Sequence, residues 1–163
     1  MPHLQRGDMW AAFATTDLFL ITTNSTIRKD GVLVMGCGIA RQARERFPGL
    51  DAAIGKQILS LCGNEGQYGL LVSPRWPEAK LGAFQVKAHY SQPAGLELIR
   101  QCTAMLCAWC AMHPDAQVIL NYPGIGNGRL HSKTVLPIIG QLPKQVTIWE
   151  YPSAGKRTSQ DKP

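Results

Sequence analysis

The sequence predicts an α/β sandwich whose central sheet is mostly parallel. Strand-like runs of apolar and β-branched residues alternate with stretches of helical periodicity along the chain, which is the pattern of βαβ units. Leu18–Thr23 is apolar or β-branched throughout, as expected of a strand that is buried on both faces. Two glycine-rich loops follow strand-like runs, at the end of the sheet where α/β proteins bind ligands.

The next four predicted elements are two helices and two strands. Ile39–Phe47 has apolar residues at helical spacing, and Pro48 directly after it ends the pattern. Leu50–Leu61 repeats this periodicity with one apolar face and predicts a second helix. Gly69–Val72 and Phe84–Val86 are short apolar runs separated by a turn-rich stretch, and they predict strands.

The second half of the chain contains the strongest helical pattern. Leu96–Met112 has an apolar stripe with a period near 3.6 residues and predicts a long helix. Val118–Tyr122 predicts another buried strand. Ser132–Gln141 predicts a helix in which Pro137 lies early or introduces a kink. Val146–Tyr151 predicts the last strand.

The composition is that of one compact domain. The chain has 163 residues, of which 45% are hydrophobic and 17% are charged, and these values exclude global disorder and fibrous architectures. The longest apolar runs are far too short to cross a bilayer. We expect a folded domain at residues 1–151 and a disordered tail at residues 152–163, which is rich in Ser, Lys and Pro.

The charge balance is mildly basic. The formal net charge is +6, from 17 Lys and Arg against 11 Asp and Glu. Leaving out the three cations and one carboxylate of the expected tail reduces the net charge to +4. This charge is compatible with an anionic ligand or nucleic acid, but the chain has no dense run of Lys and Arg.

The cysteines predict reduced thiols. The total of five is odd, and Met1–Trp10 has no signal-peptide pattern, so we expect a reducing, cytoplasmic location. Cys102, Cys107 and Cys110 all lie in the predicted long helix. Cys107 and Cys110 form a CxxC motif with His113 close by, which suggests a metal or redox site as one alternative. Its place late in an amphipathic helix favours core packing instead.

The two glycine-rich loops are candidate anion sites. Gly36–Gly38 and Gly124–Gly128 each follow a strand-like run, and exposed N–H groups ahead of a helix form an anion cradle. Neither loop is a P-loop, and Arg41 and Arg129 occupy the positions where a dinucleotide fingerprint needs its third glycine. The alternative is two tight turns without a ligand. Their occurrence as a pair favours a clamp on a diphosphate.

Four short segments together resemble a known family. They are Gly7–Met9, Thr22–Asn24, Met35–Ala40 and Pro123–Gly128. They resemble the macrodomain, an ADP-ribose-binding fold, and the similarity extends over residues 5–151. Within that family, the MGxGIA form of the third segment is similar to the branch of terminal ADP-ribose protein glycohydrolase and the DNA ADP-ribosyl glycohydrolase antitoxins. The resemblance implies a three-layer α/β/α sandwich with a central mixed, mostly parallel sheet.

The resemblance implies ligand contacts from the matching positions. Asp8 would accept a hydrogen bond from the adenine amino group, although it is equally suited to cap a helix. Asn24 would bind the distal ribose, and its alternative is a turn residue at a strand end. Trp149 would stack on adenine, or pack in the core. The implied ligand-binding set is Asp8, Met9, Asn24, Gly36, Cys37, Gly38, Ile39, Gly124, Ile125, Gly126, Asn127, Gly128, Arg129 and Trp149.

Lys87 is the implied nucleophile. Phe84–His89 followed by Leu96–Ile99 resembles the stretch that carries the catalytic lysine of the same branch. An ordinary lysine has a pKa of ~10.4 and is protonated at neutral pH, whereas a partly desolvated lysine has a lower pKa and an available lone pair. Related enzymes form a covalent imine-type adduct in this way, and water then releases it. The alternative is a solvated lysine at a strand end.

Three features depart from the branch or add to it. The protein-directed enzymes carry an acidic residue after the second glycine loop, where this chain has Arg129, Leu130 and His131. His131 is a candidate acid/base, or a surface residue that opens a helix. His89, two residues after Lys87, is a second candidate, and residues 25–34 form a longer link that would reshape the pocket over the distal ribose.

The resulting functional hypothesis is an ADP-ribosyl glycohydrolase. Its substrate would be an ADP-ribosylated macromolecule, either DNA or protein, and it would need no metal or other cofactor. We expect a monomer without membrane association. The alternatives are a non-catalytic ADP-ribose binding module and a phosphatase that acts on ADP-ribose 1″-phosphate.

Overall fold

A computed structural model describes residues 1–72 and 76–151 of the chain. The predicted tail at 152–163 lies outside the described residues. In the described ranges the chain forms six strands, which are β1 (His3–Arg6), β2 (Leu18–Thr23), β3 (Leu70–Val72), β4 (Leu81–Gln85), β5 (Val118–Asn121) and β6 (Val146–Glu150). The α-helices there are α1 (Gly38–Arg46), α2 (Leu50–Leu61), α3 (Leu96–Met112) and α4 (Ser132–Ile139).

The six strands form one mixed sheet in the order β1-β6-β5-β2-β4-β3. All neighbouring pairs are parallel except β3 and β4, which are antiparallel. Each parallel neighbour is reached by a crossover that contains helix, as parallel pairing requires. The prediction of a mixed, mostly parallel sheet is therefore confirmed.

Strand β2 lies at the centre and separates two hydrophobic layers. Its side chains alternate between the faces, so that Phe19 and Ile21 enter one core cluster while Leu18 and Leu20 enter the other. The first cluster also contains the buried faces of α1 and α2, and the second contains those of α3 and α4. Helices thus cover both faces of the sheet, which confirms the three-layer α/β/α sandwich.

The apolar periodicity located the helices more accurately than the strands. The bounds of α2 and α3 agree with the prediction, and α4 ends at Ile139, two residues earlier than predicted. Strand β4 begins at Leu81, ahead of the predicted Phe84. The reason is Gly82, where a Cβ would lie 2.5 Å from Cδ2 of Leu20, so this residue is a strand position packed too closely for a side chain.

Two elements near the start have no counterpart in the prediction. Every residue of strand β1 is exposed, so its sequence carries no alternation of apolar and polar residues. A 3₁₀-helix at Met9–Thr15 buries Met9 and Trp10, and the carboxylate of Asp8 caps it by accepting a hydrogen bond from the Trp10 N–H at 3.1 Å. No helix within the described residues combines the length and apolarity needed to cross a membrane.

The cysteines of α3 pack in the core, as the sequence predicted. Cys102 and Cys110 are buried, and Cys107 is partly buried against the same cluster. Burial raises the pKa of Cys102 to about 12 and that of Cys110 to about 11, so both thiols stay protonated and unreactive at neutral pH. The described part of the chain holds no cluster of three or more metal-ligating side chains.

The link at residues 25–34 forms a short hairpin against α2. Ile27 and Leu33 pair as an antiparallel bridge and are buried in the core, and the turn at its tip contains Gly31 with a φ of +86°. The Leu33 N–H donates to the carbonyl of Asp51 at 3.0 Å. A Cβ on Gly55 of α2 would lie 2.2 Å from the Gly31 carbonyl oxygen. The hairpin backbone therefore occupies the space that a side chain on α2 would fill.

The contact between Gly55 and the hairpin predicts that alanine at position 55 destabilises the protein, although alanine usually stabilises a helix. Replacing an ordinary helical glycine by alanine stabilises a protein by about 0.5–1 kcal/mol. We expect Gly55→Ala to lower the free energy of unfolding by about 1–3 kcal/mol, because the added methyl group displaces the hairpin backbone. Urea titration followed by circular dichroism measures this, with Ser60→Ala on the exposed side of α2 as the control. A stabilised Gly55→Ala protein would contradict the packing.

Candidate functional site

A cavity of about 840 Å³ opens at the carboxyl ends of β6, β5, β2 and β4. This is the edge of a parallel sheet where loops run into helix N-termini, and the sequence predicted a ligand site there. The cavity brings together most of the predicted site residues, namely Met9, Asn24, Gly36, Cys37, Gly38, Ile39, Lys87, Gly124, Ile125, Gly126, Asn127, Gly128 and Trp149. These residues come from distant parts of the chain and now share one surface.

The first glycine loop, Gly36–Gly38, leads directly into α1. Gly38 has a φ of +61°, a conformation that glycine adopts without steric cost. Cys37 occupies the N-cap position, and its side chain makes no capping hydrogen bond to the first turn of α1. The free N–H groups of this turn carry the positive end of the helix dipole and make the loop suitable for an anion.

The second glycine loop, Gly124–Gly128, is fixed by tight packing. A Cβ on Gly124 would lie 2.7 Å from Cδ1 of Ile99, and one on Gly128 would lie 3.0 Å from Cβ of Ala94. The Ala94 N–H donates to the Gly128 carbonyl at 2.9 Å, which ties the loop to the start of α3. Its backbone is therefore positioned by the core layer below it.

The two glycine loops meet above the cavity. A Cβ on Gly38 would lie 3.4 Å from Nδ2 of Asn127, so the first loop approaches the side chain of the second at van der Waals distance. Gly126, with a φ of +66°, has no atom within 4 Å of its Cβ position and faces open space. Both loops line the same cavity beside the N-terminus of α1, a setting that suits a chain of phosphates.

Asn24 follows β2 and is buried at the floor of the cavity. Its Nδ2 donates to the Val34 carbonyl at 2.9 Å, and its Oδ1 accepts from the Thr26 N–H at 2.8 Å. The buried Tyr68 hydroxyl donates to the Asn24 carbonyl at 2.6 Å. These contacts fix the amide and leave one N–H and one lone pair of its side chain for a ligand. Recognition of the distal ribose by Asn24 remains a prediction.

Lys87 lies two residues beyond β4 and lines the cavity. Gln85 anchors this segment, because its Nε2 donates to the Lys87 carbonyl at 3.3 Å while its Oε1 accepts from two N–H groups of the β3 approach. Burial lowers the pKa of Lys87, the nearby Cys37 thiol acts in the opposite direction, and the Arg129 guanidinium lowers it further. The local environment therefore increases the fraction of neutral amine.

Several predicted residues lie outside the cavity lining. Asp8 caps the 3₁₀-helix, and its contact with adenine remains a prediction. Arg129 directs its Nη2 to the Ser91 carbonyl at 2.7 Å. His89 contacts Ser91 through Nδ1 at 2.7 Å, and His131 caps α4, where its Nδ1 accepts from the Lys133 N–H at 3.1 Å. The acid/base roles of both histidines have no geometric support from these positions.

Trp149 lies on β6 and lines the opposite end of the cavity from Lys87. Gly7, with a φ of +138°, approaches Cζ3 of the indole ring so closely that a Cβ would lie 3.4 Å away. Within the described residues the buried Nε1 of Trp149 has no hydrogen-bond partner. The half-buried ring thus packs against the core and also lines the cavity. Stacking of Trp149 on adenine remains a prediction.

Sequence reasoning missed several lining residues. Asn121 follows the buried run of β5 as Asn24 follows β2, and its Oδ1 accepts from the Thr22 N–H at 2.9 Å. An asparagine at the end of two buried strands is a sequence pattern that could have predicted Asn121 as a lining residue. Three further residues that line the cavity are Gln42, Tyr90 and Tyr151. They lie outside the glycine loops, and no sequence pattern predicts them as site residues.

The electrostatic environment of Lys87 generates a direct test. We expect Arg129→Gln to raise the pKa of Lys87, since removal of a neighbouring positive charge makes protonation less unfavourable. Nuclear magnetic resonance titration of the Lys87 side-chain signals measures this pKa. Arg41→Gln, which breaks an exposed ion pair with Glu45, is the control and leaves the Lys87 pKa unchanged. An equal Lys87 pKa in the wild type and Arg129→Gln would contradict the assignment of Arg129 as a charge that lowers the Lys87 pKa.

Comparisons with known proteins identify the fold. The sequence matches no protein-family model and no curated protein. The macrodomain of Thermus aquaticus DarG superposes with a TM-score of 0.66 at 22% identity, covering 93% of this chain and 97% of that one. The macrodomain of Mycobacterium tuberculosis DarG gives 0.66 at 25% identity, with 93% and 99% covered.

A third solved structure is Thermosipho africanus DarTG in complex with ADP-ribose. It superposes with a TM-score of 0.71 at 19% identity, and the match covers 98% of this chain but 44% of that longer one. All three structures share the strand and helix arrangement described above at low sequence identity. The chain therefore folds as a macrodomain and resembles the macrodomains of DarG proteins.

Proposed function

We propose that the cavity binds ADP-ribose and that the protein hydrolyses an ADP-ribosyl linkage on DNA or protein, with Lys87 as nucleophile. The observation that carries this proposal is the meeting of two glycine loops over a cavity that Lys87 also lines. A solved structure of similar fold contains ADP-ribose, which supports the choice of ligand.

The cavity offers a separate environment for each part of ADP-ribose. Trp149 and Met9 provide apolar surface at the β6 end, which suits a planar base. The backbone of the two glycine loops suits the diphosphate in the middle. Asn24 and Lys87 lie toward the β4 side, where the distal ribose would follow. Strands β6 and β4 are three strand spacings apart, on the order of 14 Å, so the ligand would bind extended.

The proposed chemistry uses the neutral amine of Lys87. The Nζ lone pair attacks the anomeric carbon of the distal ribose, the bond from that carbon to the acceptor breaks, and the acceptor leaves with a proton. The ring oxygen then departs from the same carbon and takes a proton, which leaves an imine between this carbon and Nζ. Water adds to the imine, the C–N bond breaks, and the free sugar and the amine are regenerated. No electron acceptor or metal is needed.

A non-catalytic ADP-ribose binding module is the second candidate. One observation favours it: among the described residues that line the cavity, the single carboxylate is Glu150 and none is a histidine. Glu150 lies on β6, at the end opposite Lys87, so it is poorly placed to activate water at the distal ribose. On this alternative the protein would bind ADP-ribose tightly and leave ADP-ribosylated substrates intact.

Replacement of Gly38 tests the binding half of the proposal. We expect Gly38→Ala to weaken ADP-ribose binding about 10-fold or more, because a Cβ at a positive φ strains the first glycine loop. Calorimetric titration with ADP-ribose, ADP and NAD measures the affinities. Gly49→Ala is the matched control, since Gly49 also has a positive φ before a helix but does not line the cavity.

Equal affinities of wild type and Gly38→Ala for ADP-ribose would contradict the placement of the diphosphate. A wild-type protein that binds none of the three nucleotides would contradict the proposed function as a whole. Loss of affinity in both glycine variants would indicate a general loss of stability, and thermal unfolding of the two variants separates that case.

Trapping of the covalent intermediate tests the catalytic half. We expect borohydride to reduce the imine and leave an ADP-ribose adduct on the wild-type protein, but not on Lys87→Ala. Intact-mass spectrometry after reaction with an ADP-ribosylated oligonucleotide or peptide detects the adduct. Lys56→Ala, which removes an exposed lysine on α2, is the control and should trap as the wild type does. Release of free phosphate from ADP-ribose 1″-phosphate without an adduct would instead identify a phosphatase.

A further inference from the structure

The exposed aromatic residues of this protein all line the candidate cavity. The chain has four Trp, four Tyr and four Phe, all within the described residues. Tyr90 is 52% exposed and Tyr151 is 51% exposed, whereas the other ten are buried or partly buried. Both exposed rings line the candidate cavity. Large apolar rings are costly to leave in water, so their concentration at one cavity points to contact with a ligand.

Tyr90 stands on a loop that is fixed on two sides. Its backbone N–H donates to Oγ1 of Thr26 at 3.0 Å, which ties it to the hairpin of residues 25–34. The next residue, Ser91, accepts from Nη2 of Arg129 at 2.7 Å through its carbonyl. The imidazole of His89 lies against the Tyr90 ring, with centroids 4.6 Å apart and planes inclined by 31°. The ring is therefore presented to solvent in a prepared position.

The position of Tyr90 favours contact with the acceptor, the group to which ADP-ribose is attached, rather than with ADP-ribose itself. It follows Lys87 by three residues, at the β4 side of the cavity, whereas Tyr151 lies at the β6 side beside Trp149. If Lys87 reaches the anomeric carbon, the group bonded to that carbon leaves the cavity on the same side. An exposed ring there meets the acceptor, not the adenine.

We propose that Tyr90, supported by His89, is a stacking platform for a nucleobase that carries the ADP-ribosyl group, and thus a specificity-determining residue. This inference rests on the proposed function. Unpaired bases in single strands are recognised by stacking on exposed aromatic side chains. Arg28 and Lys29 are exposed on the adjoining hairpin, where Asp30 pairs with Arg28, and Arg129 flanks the loop on its other side. This excess of positive charge suits the phosphates of a nucleic acid strand.

Equilibrium binding in a Lys87→Ala background, which prevents turnover, tests the proposal. The probes are free ADP-ribose, a single-stranded DNA oligonucleotide ADP-ribosylated on one base, and a peptide ADP-ribosylated on one glutamate. Adding Tyr90→Ala should weaken binding of the modified oligonucleotide about 10-fold and leave the affinity for free ADP-ribose within about two-fold. Adding Tyr90→Phe should restore the affinity for the oligonucleotide, because the ring is kept.

Tyr151→Ala in the same background is the matched control. Its ring is equally exposed but lies at the other end, so its removal should leave the ratio between the oligonucleotide and ADP-ribose affinities unchanged. An unchanged oligonucleotide affinity with Tyr90→Ala would overturn the platform, as would equal losses for oligonucleotide and peptide or a failure of Tyr90→Phe to rescue. A chain that does not bind free ADP-ribose would overturn the proposed function itself, which the ADP-ribose arm reports separately.

Discussion

The close approach of the two glycine loops is the contact on which the candidate site depends. Gly38 and Asn127 come from loops that follow β2 and β5, and these strands are neighbours in the sheet. Parallel pairing places both carboxyl ends at the same edge, and the hairpin of residues 25–34 returns the chain to that edge before the first glycine loop. A side chain in place of Gly38 would strain the first loop, because Gly38 has a φ of +61°. The volume between the two loops is bounded by glycine backbone and by the Asn127 side chain.

Two side-chain amides, one buried and one partly buried, hold the strand ends on which these loops stand. Asn121 joins β5 to β2 through the backbone and hydroxyl of Thr22, and Gln85 connects the segment after β4 with the approach to β3. Each amide satisfies backbone groups that regular pairing leaves free where the strands diverge. Removing one partner would leave such groups buried without a hydrogen bond, at a cost of about 1–3 kcal/mol each. Asn121 and Gln85 thus hold the strand ends beneath the cavity in place through hydrogen bonds within the protein.

The sequence predicted the architecture well because the helices and the central strand have unmistakable apolar periodicity. Helices α2 and α3 end where glycine, proline or polar residues interrupt their stripes, so their bounds agreed. Strand β1 was missed because all of its residues are exposed at a sheet edge. The family resemblance alone pointed to Lys87, and Lys87 lines the same cavity as the glycine loops. His131 lies elsewhere because its ring caps a helix, a local contact that residue spacing does not reveal. Tyr90 was overlooked because exposed aromatic residues follow no period.

The hairpin at residues 25–34 shows where this fold can accept inserted residues. Ile27 and Leu33 anchor the hairpin in the core, and its backbone packs against α2 where Gly55 has no side chain. The Cβ position of Gly31, in the turn, has no atom within 4 Å. Lengthening a surface turn costs only the slowly growing entropy of loop closure. The Gly31 carbonyl packs on α2, whereas Lys29 and Asp30 of the same turn are exposed, so extra residues at these two positions would project into solvent. A fluorescent or affinity label grafted at Lys29 or Asp30 would therefore leave the fold undisturbed.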